Sequence, residues 1–411
     1  MSARRAALQA AFVLALGSAV SLGLARFSYA LLLPPMRADL GWSYALSGVM
    51  NAANAAGYLL GALSLPRLIA LMGARRLLIA GSVLAALFMA LHGVVRSDAA
   101  MLFMRVASGV ASGFVFATGG LLAAWLATQA APHGLSAGLV LGIYYGGTGW
   151  GIVACAVGVP LFIEGLPAAG LKAWGWPVAW MALGALALVA TALMAWAVPR
   201  GEPEPPAARG QGQGDVRRLG LGIAGYFLFG VGYIGYMTFI VTLLREQGLG
   251  TGVIVAFYAL LGVGVIVSPW LWAGLLQRQR GGGALAVLNA LLGLSVILPV
   301  LHPHPALAFV SGAIFGGVFL SVVASTTAMV RHNLPPERWS AGIAAFTVIF
   351  AFGQILGPAV VGWVSDELGG LRPGLALSAL VLLAGAVVAW LQKPLASKMP
   401  PTRPTPPSSA R

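Results

Sequence analysis

Hydrophobic residues form twelve long runs separated by short polar segments. A helix needs about 20 apolar residues to cross a hydrocarbon core about 30 Å thick, and each run is of that order. The runs cover roughly residues 8–33, 42–66, 76–95, 99–127, 135–162, 176–198, 219–244, 250–276, 283–301, 305–330, 339–364 and 371–392. The pattern predicts an all-α, multi-pass membrane protein with twelve transmembrane helices, the first of them a retained helix rather than a cleaved signal peptide.

Two segments break the apolar pattern. Residues 199–218 are rich in proline, glycine and charge, and we expect a cytoplasmic linker between six-helix bundles at 1–198 and 219–392. Residues 393–411 have a similar composition, and we expect a disordered cytoplasmic tail.

The two predicted bundles share short motifs. The join between runs four and five contains Ser136-Ala137-Gly138, and the join between runs ten and eleven contains Ser340-Ala341-Gly342. Gly109 and Gly113 precede the first motif at nearly the same offset as Gly312 and Gly316 precede the second. These matches predict two pseudo-symmetric bundles facing each other.

The composition excludes a soluble protein. Charged residues make up 8% of the chain and hydrophobic residues 59%, whereas soluble domains carry about 25% charged residues. The net charge of +14 would suggest nucleic acid for a soluble protein, but most of the cations fall in alternate loops and at both termini. This asymmetry predicts cytoplasmic termini in a bacterial inner membrane, with the lipid bilayer rather than nucleic acid as the surroundings.

Several kinds of chemistry find no support in the sequence. The single cysteine and five scattered histidines offer no metal site, there is no phosphate-binding loop, and we expect no cofactor. All ten carboxylates fall in loops, in the linker or at the ends of runs. A cation or multidrug exporter usually needs an acid at mid-membrane, so a cationic substrate is disfavoured.

Twelve spans in two halves with a charged linker resemble the major facilitator superfamily. Its loop motif after span two resembles Gly61-Ala62-Leu63 followed by Gly73-Ala74-Arg75-Arg76, although the usual acidic residue is missing. Its span-four motif is similar to 105–109, which begins with Arg105 and ends with Gly109. The resemblance implies gating or proton-coupling roles for Arg75, Arg76 and Arg105, with Asp98 in the preceding loop.

Other segments resemble the poorly characterised YbfB-like branch of that superfamily. They are Arg26-Phe27-Ser28-Tyr29, Pro34-Pro35-Met36, Gly232-Tyr233-Ile234, Gly353-Gln354 and Gly357-Pro358. The resemblance covers almost the whole chain and implies a secondary transporter, which is not an enzyme and works by alternating access.

Arg26 is the main candidate for substrate binding. It lies seven residues inside the predicted outer end of the first run, or about 10 Å. An arginine in hydrocarbon costs at least about 2.5 kcal/mol and should therefore face a cavity or a partner. A guanidinium can hold a carboxylate by two parallel hydrogen bonds. The alternative is a structural arginine that reaches towards the membrane surface.

Further candidates lie near the middle of their runs, where transporter sites form between helices. Tyr29 is one helical turn from Arg26 and should share its face. The others are Asn51, Asn54, Tyr145, Trp150, Tyr233, Tyr236, Phe350 and Gln354. As a set they predict an aromatic, weakly polar cavity.

The leading hypothesis is a monomeric transporter that moves a small organic anion, with a proton as the candidate coupling ion and uptake favoured over efflux. An exporter of neutral or hydrophobic solutes remains an alternative, in which the aromatic residues bind and Arg26 is structural. A substrate sensor without transport and a membrane-embedded lipid enzyme are minor alternatives. The sequence shows neither a signalling domain nor a catalytic constellation for them.

Overall fold

The computed structural model describes residues 3–171, 174–198, 201 and 216–395. Within these residues, twelve helices are long and apolar enough to cross a membrane, which confirms the predicted number. They are α1 (Ala3–Leu40), α2 (Tyr44–Met72), α3 (Ala74–His92), α4 (Asp98–Ala130), α5 (Ala137–Ala168), α6 (Gly175–Ala197), α7 (Gly220–Glu246), α8 (Thr251–Leu271), α9 (Gly283–Leu301), α10 (Pro305–Asn333), α11 (Trp339–Glu367) and α12 (Leu371–Trp390). Most of the predicted linker and tail lies outside the described residues.

We call α1–α6 the first set, α7–α12 the second set, and the interface between the sets the seam. The helices alternate in direction, so α1 and α7 begin at one end of the bundle, where α6 and α12 stop. We call this the linker end and the opposite end the far end. The short Gly41–Ser43 connection between α1 and α2 lies at the far end.

Helix α1 is longer than its hydrophobic run. It continues through Pro34 and Pro35 to Leu40 and contains a π-helical segment at Ala19–Phe27. Arg26 therefore lies 14 residues before the end of α1, roughly 20 Å from it at 1.5 Å per residue. The predicted distance of about 10 Å is wrong, because the polar turn after the apolar run remains helical.

Small residues bring helix backbones together at equivalent places in the two sets. Gly109 and Gly113 of α4 lie against the backbones of Asn54 and Tyr58 in α2, and their counterparts Gly312 and Gly316 of α10 lie against Phe257 and the backbone of Leu261 in α8. A Cβ atom at Gly109 or Gly316 would overlap a carbonyl oxygen of the neighbouring helix. Close approach of this kind is what small residues allow where both helices are surrounded by lipid. The glycines that the sequence matched between the sets thus make the same type of contact.

The seam is also packed through glycine, though only along some of its helices. Gly48 of α2 lies directly against the carbonyl of Pro358 in α11, and Gly149 of α5 against that of Gly262 in α8. The two sets therefore touch along α2–α11 and α5–α8 with almost no side chain between the backbones.

We predict that Gly109→Ala and Gly316→Ala each destabilise the protein by about 1–3 kcal/mol, the usual effect of overpacking a close contact. The measurement is the apparent melting temperature of purified protein in detergent. Gly138→Ala is the matched control, because a Cβ there meets no atom within 4 Å. Equal melting temperatures for all three variants and the wild type would contradict the close packing at Gly109 and Gly316.

Candidate functional site

At the far end, a carboxylate of the second set caps a helix of the first set. Asp366, at the end of α11, accepts hydrogen bonds from the backbone N–H groups of Tyr44 and Ala45, at 2.9 and 2.8 Å. The first N–H groups of a helix have no partner within it, and a negative charge there is stabilising. Asp366 thus closes the seam at the start of α2.

Side chains of two further helices, α1 and α7, lie around this cap. The hydroxyl of Tyr44 donates to Glu246 of α7 at 2.6 Å, and Arg37 of α1 lies 3.5 Å from the same carboxylate. The Arg37 guanidinium also lies 3.8 Å from the centre of the Tyr44 ring. Across the other side of the seam, Glu164 of α5 pairs with Arg245 of α7 at 3.9 Å. Polar contacts therefore join the two sets at both sides of the far end.

Arg105 forms a second layer, about 10 Å further in along α4. It is fully buried and donates to the carbonyl of Met50 at 3.1 Å and to Oδ1 of Asn51 at 2.9 Å. One of its terminal nitrogens has no hydrogen-bond partner. Asp98 does not contact it and instead accepts a hydrogen bond from the indole of Trp42 at 2.7 Å. Asp98 thus anchors the connection between α1 and α2.

The Arg105 layer continues across the seam through neutral groups. Asn51 donates through Nδ2 to the hydroxyl of Thr238 in α7 at 2.6 Å, and Thr238 donates to the carbonyl of Ile234. Asn54 donates to the backbone carbonyl of Arg105 at 3.2 Å and belongs to the packing of α2 on α4. Of the two predicted asparagines, only Asn51 lies on the seam.

Tyr29 belongs to this layer rather than to Arg26. Its ring centre lies 4.2 Å from the Arg105 guanidinium, and its hydroxyl donates to the carbonyl of Ser47 at 2.9 Å. The sequence predicted that Tyr29 shares a face with Arg26. Tyr29 lies three residues nearer the far end, at the level of Arg105, which explains its different partner.

Arg26 lies deepest, at mid-membrane on the seam. It is 4% exposed, and its Nη2 donates to Oε1 of Gln354 in α11. The hydroxyl of Tyr233 in α7 donates to the same oxygen at 2.7 Å. The guanidinium lies 5.6 Å from the centre of the Tyr58 ring, and its Nε is buried without a partner. Arg26, Gln354 and Tyr233 are three predicted residues that the fold brings together.

No carboxylate balances this charge among the described residues. The three ion pairs there involve Arg37, Arg96 and Arg245. Burying a charge is costly unless it is paired, and Arg26 has only neutral oxygen and aromatic neighbours. The arrangement is suited to an anion supplied from outside the protein.

Aromatic rings surround Arg26 towards the linker end. Phe350 of α11 lies 5.6 Å from Tyr233, and on the first set Phe116 lies 5.7 Å from Tyr145. Tyr145 interacts electrostatically with Arg331 of α10 and so faces the seam, yet its side chain is 37% exposed. Within the described residues, the hydrogen bonds and ion pairs that cross the seam lie at mid-membrane or nearer the far end. We call the space between these rings the cleft, and it lies on the linker side of these polar contacts.

Four predicted residues lie away from the cleft. Trp150 is 56% exposed on the face of α5 that also carries the exposed Val157, so its assignment to the cavity is wrong. A spacing of seven residues places both on one lipid-facing stripe. Tyr236 is buried within the second set and bonds the hydroxyl of Ser311 at 2.6 Å. Arg75 donates to the carbonyls of Ala195 and Val198, where α6 ends, and Arg76 is exposed at the linker end.

The sequence analysis missed Tyr58. Its ring underlies Arg26 and it interacts electrostatically with Tyr145 and Tyr233. The available signal was its spacing, because Tyr58 is seven residues after Asn51 and therefore shares the seam-facing side of α2.

Comparison with known proteins assigns the chain to a class. Residues 18–390 match the family described as "Uncharacterised MFS-type transporter YbfB", and the chain belongs to that family. Family and fold are those of major facilitator transporters, which are not enzymes, and the predicted fold is confirmed. No curated protein matches the chain.

Solved structures share the fold at low sequence identity. A bacterial homolog of the human lysosomal transporter Spinster, in an inward-facing unoccupied conformation, aligns with a TM-score of 0.71 and 16% identity over 95% of this chain and 97% of that one. The nucleoside transporter NupG aligns with a TM-score of 0.68 and 14% identity over 93% and 97%. The human organic anion transporter MFSD10 aligns with a TM-score of 0.57 and 15% identity over 95% and 100%.

We predict that Asp366→Asn loosens the far end. The substitution weakens the two bonds to the start of α2, because hydrogen bonds to a charged acceptor are the stronger ones. Hydrogen exchange measured by mass spectrometry should become several-fold faster in a peptide covering residues 44–51. Glu367→Gln is the matched control, since Glu367 is the exposed neighbour of Asp366 and makes no ion pair among the described residues. Equal exchange in both variants would exclude a closing role for Asp366.

Proposed function

We propose that the protein moves a small organic anion, a carboxylate, across the bacterial inner membrane by alternating access, with Arg26 as the anion-binding residue. The observation that carries the proposal is the buried Arg26 guanidinium, which lies at the seam with no carboxylate partner among the described residues. An arginine at the centre of a membrane costs at least about 2.5 kcal/mol on insertion scales and marks a functional site by default.

The Gln354 amide is the group that the anion would displace from Arg26. Its amide oxygen accepts hydrogen bonds from both Arg26 and Tyr233. A neutral oxygen interacts more weakly with guanidinium than a carboxylate, which can accept two parallel N–H bonds. A substrate carboxylate would replace the amide and so break a bond between α1 and α11 across the seam.

The contacts at the seam suggest how access alternates. Asp366, Glu246 and Glu164 join the two sets at the far end, whereas no hydrogen bond or ion pair among the described residues joins them at the linker end. The distribution of basic residues favours a cytoplasmic linker end, so this arrangement would be the inward-open state. Rocking of residues 1–198 against 219–392 would break the far-end contacts and close the cleft from the linker side.

A proton is the proposed coupling ion, with uptake as the direction. The acidic residues among the described residues lie close to helix ends, so no carboxylate at mid-membrane is available to carry the proton. The substrate carboxylate itself, or the groups around Arg105, would carry it instead. The unpartnered terminal nitrogen of Arg105 supports the second route.

The second candidate is an exporter of neutral or hydrophobic solutes. The aromatic cleft and the existing bond from Arg26 to Gln354 favour it. Among proteins of this fold, one is an organic anion transporter and another a nucleoside transporter, so the fold accommodates either kind of substrate.

We predict that Gln354→Glu abolishes carboxylate transport while the protein still folds. The new carboxylate would pair with Arg26 permanently and exclude the substrate. Gln354→Leu, which removes the amide but adds no charge, should retain carboxylate binding. The measurement is uptake of a panel of labelled carboxylates into proteoliposomes, with size-exclusion profiles to verify folding.

Arg26 is tested in the same assay. Arg26→Ala should remove uptake, and Arg26→Lys should restore only part of it, because an ammonium lacks the planar fork of guanidinium. Arg278→Ala, at an exposed position of the linker end, is the matched charge control. Uptake that is unchanged in Arg26→Ala and Gln354→Glu would exclude the anion mechanism and favour the neutral exporter.

A further inference from the structure

Two tyrosine hydroxyls differ from the others in the described part of the chain, because they form no hydrogen bond. The chain has nine tyrosines, and seven of their hydroxyls form hydrogen bonds in the described part of the chain. Those seven are Tyr29, Tyr44, Tyr144, Tyr226, Tyr233, Tyr236 and Tyr258. Tyr58 is half-buried and Tyr145 is 37% exposed, and neither hydroxyl has a bonded partner there, so both are accessible to a ligand.

Tyr58 lies beside Arg26, and Tyr145 lies further towards the linker end. The Arg26 guanidinium lies 5.6 Å from the centre of the Tyr58 ring, and Tyr58 and Tyr145 interact electrostatically. Phe116 lies between them, at 6.4 Å from Tyr58 and 5.7 Å from Tyr145. Tyr58, Phe116 and Tyr145 therefore form an aromatic wall on the first set, and two of its three members offer a free hydroxyl.

The second set provides a more ordered aromatic wall. The ring of Phe350 lies 5.4 Å from that of Phe229 with an angle of 5° between the planes, and 5.6 Å from that of Tyr233 with an angle of 17°. Phe350 is half-buried, whereas Phe229 and Tyr233 are buried behind it. The nearly parallel rings of Phe229 and Tyr233 thus hold the Phe350 ring in place near Arg26.

Among the described residues, Arg26 is the cation available to a ligand at this depth of the cleft. The nearest other cation facing the cleft is Arg331, which lies two residues before the end of α10 and packs 5.3 Å from the ring of Trp339. It is 12 residues along α10 from Phe319, a ring close to Tyr233, and this spacing corresponds to about 18 Å. Arg105 is close enough to Arg26 to interact with it electrostatically, but it is fully buried and bonded to the Met50 carbonyl and the Asn51 amide oxygen. A ligand bound at Arg26 therefore meets one accessible positive charge and many ring carbons.

We propose that the site selects planar aromatic monocarboxylates, with the ring held between Phe350 and the wall of Tyr58, Phe116 and Tyr145. This inference rests on the proposed function and specifies its substrate class. Rings prefer offset-stacked or edge-to-face contacts with other rings, which a saturated ring cannot reproduce. The hydroxyls of Tyr58 and Tyr145 supply neutral donors to polar atoms of the ligand, and a second carboxylate would have no cation at this depth.

The test compares benzoate with cyclohexanecarboxylate, which has the same charge but a saturated ring. Binding is measured by calorimetry on the purified full-length protein in nanodiscs. Benzoate should bind about tenfold more tightly, the effect expected from one or two ring contacts, and terephthalate should bind more weakly than benzoate.

Variants separate stacking from hydrogen bonding. Phe350→Leu and Tyr58→Leu should bring the ratio of the affinities for benzoate and cyclohexanecarboxylate close to one. Carboxylate binding through Arg26 should persist in both variants. Tyr58→Phe should weaken the binding of both ligands several-fold and leave the ratio of the two affinities unchanged. Trp150→Leu, which removes an aromatic ring from the exposed face of α5, is the matched control and should change neither affinity.

The outcomes distinguish the inference from the proposed function. Equal affinity for benzoate and cyclohexanecarboxylate, with both lost in Arg26→Ala, overturns the aromatic selection and leaves the anion site intact. Benzamide binding as tightly as benzoate, without dependence on Arg26, overturns both proposals. Absence of Arg26-dependent binding of either ring carboxylate also overturns the inference.

Discussion

An uncompensated positive charge at mid-membrane is the constraint around which this protein is organised. Arg26 is buried at the seam, and the groups nearest to it are the Gln354 amide and the rings of Tyr58 and Tyr233. Removing a guanidinium from water is costly, and a neutral amide offsets that cost only in part. The site is therefore poised to exchange a weak internal partner for a stronger external one.

The far end differs from the middle of the membrane, because the charged groups at its part of the seam have partners. There the charges are paired, through Asp366 on the start of α2 and through Glu246 and Glu164 with arginines. These groups are exposed, so each contact contributes little on its own and can be exchanged with water at small cost. Glycine contacts between α2 and α11 bring the two backbones close together, with no long side chains that would have to separate first. Such a seam can hold one state firmly and still separate.

Arg105 connects these two levels. Its hydrogen bond to Asn51, and from Asn51 to Thr238, joins α4 to α7 through α2. The layer contains no acid, and its polar groups are linked by directional hydrogen bonds in a dry environment where such bonds are strong. The bond from Asn51 to Thr238 therefore joins the sets between the Arg26 bond on one side and the Asp366 cap on the other.

The sequence by itself determined the twelve helices, because a hydrocarbon core imposes the same length and apolarity on every span. It also identified Arg26, since a charge within an apolar run is conspicuous, and it matched Gly109 and Gly113 with Gly312 and Gly316, which lie at close helix contacts in the two sets. Tertiary structure decided which residues face the seam. Trp150 and Tyr236 sit near mid-span as Tyr233 does, but rotation of each helix turns one to lipid and the other into the second set. Packing between helices placed Tyr29 against Arg105, and the partner of Arg26 is 328 residues away along the chain, a contact that no local pattern encodes.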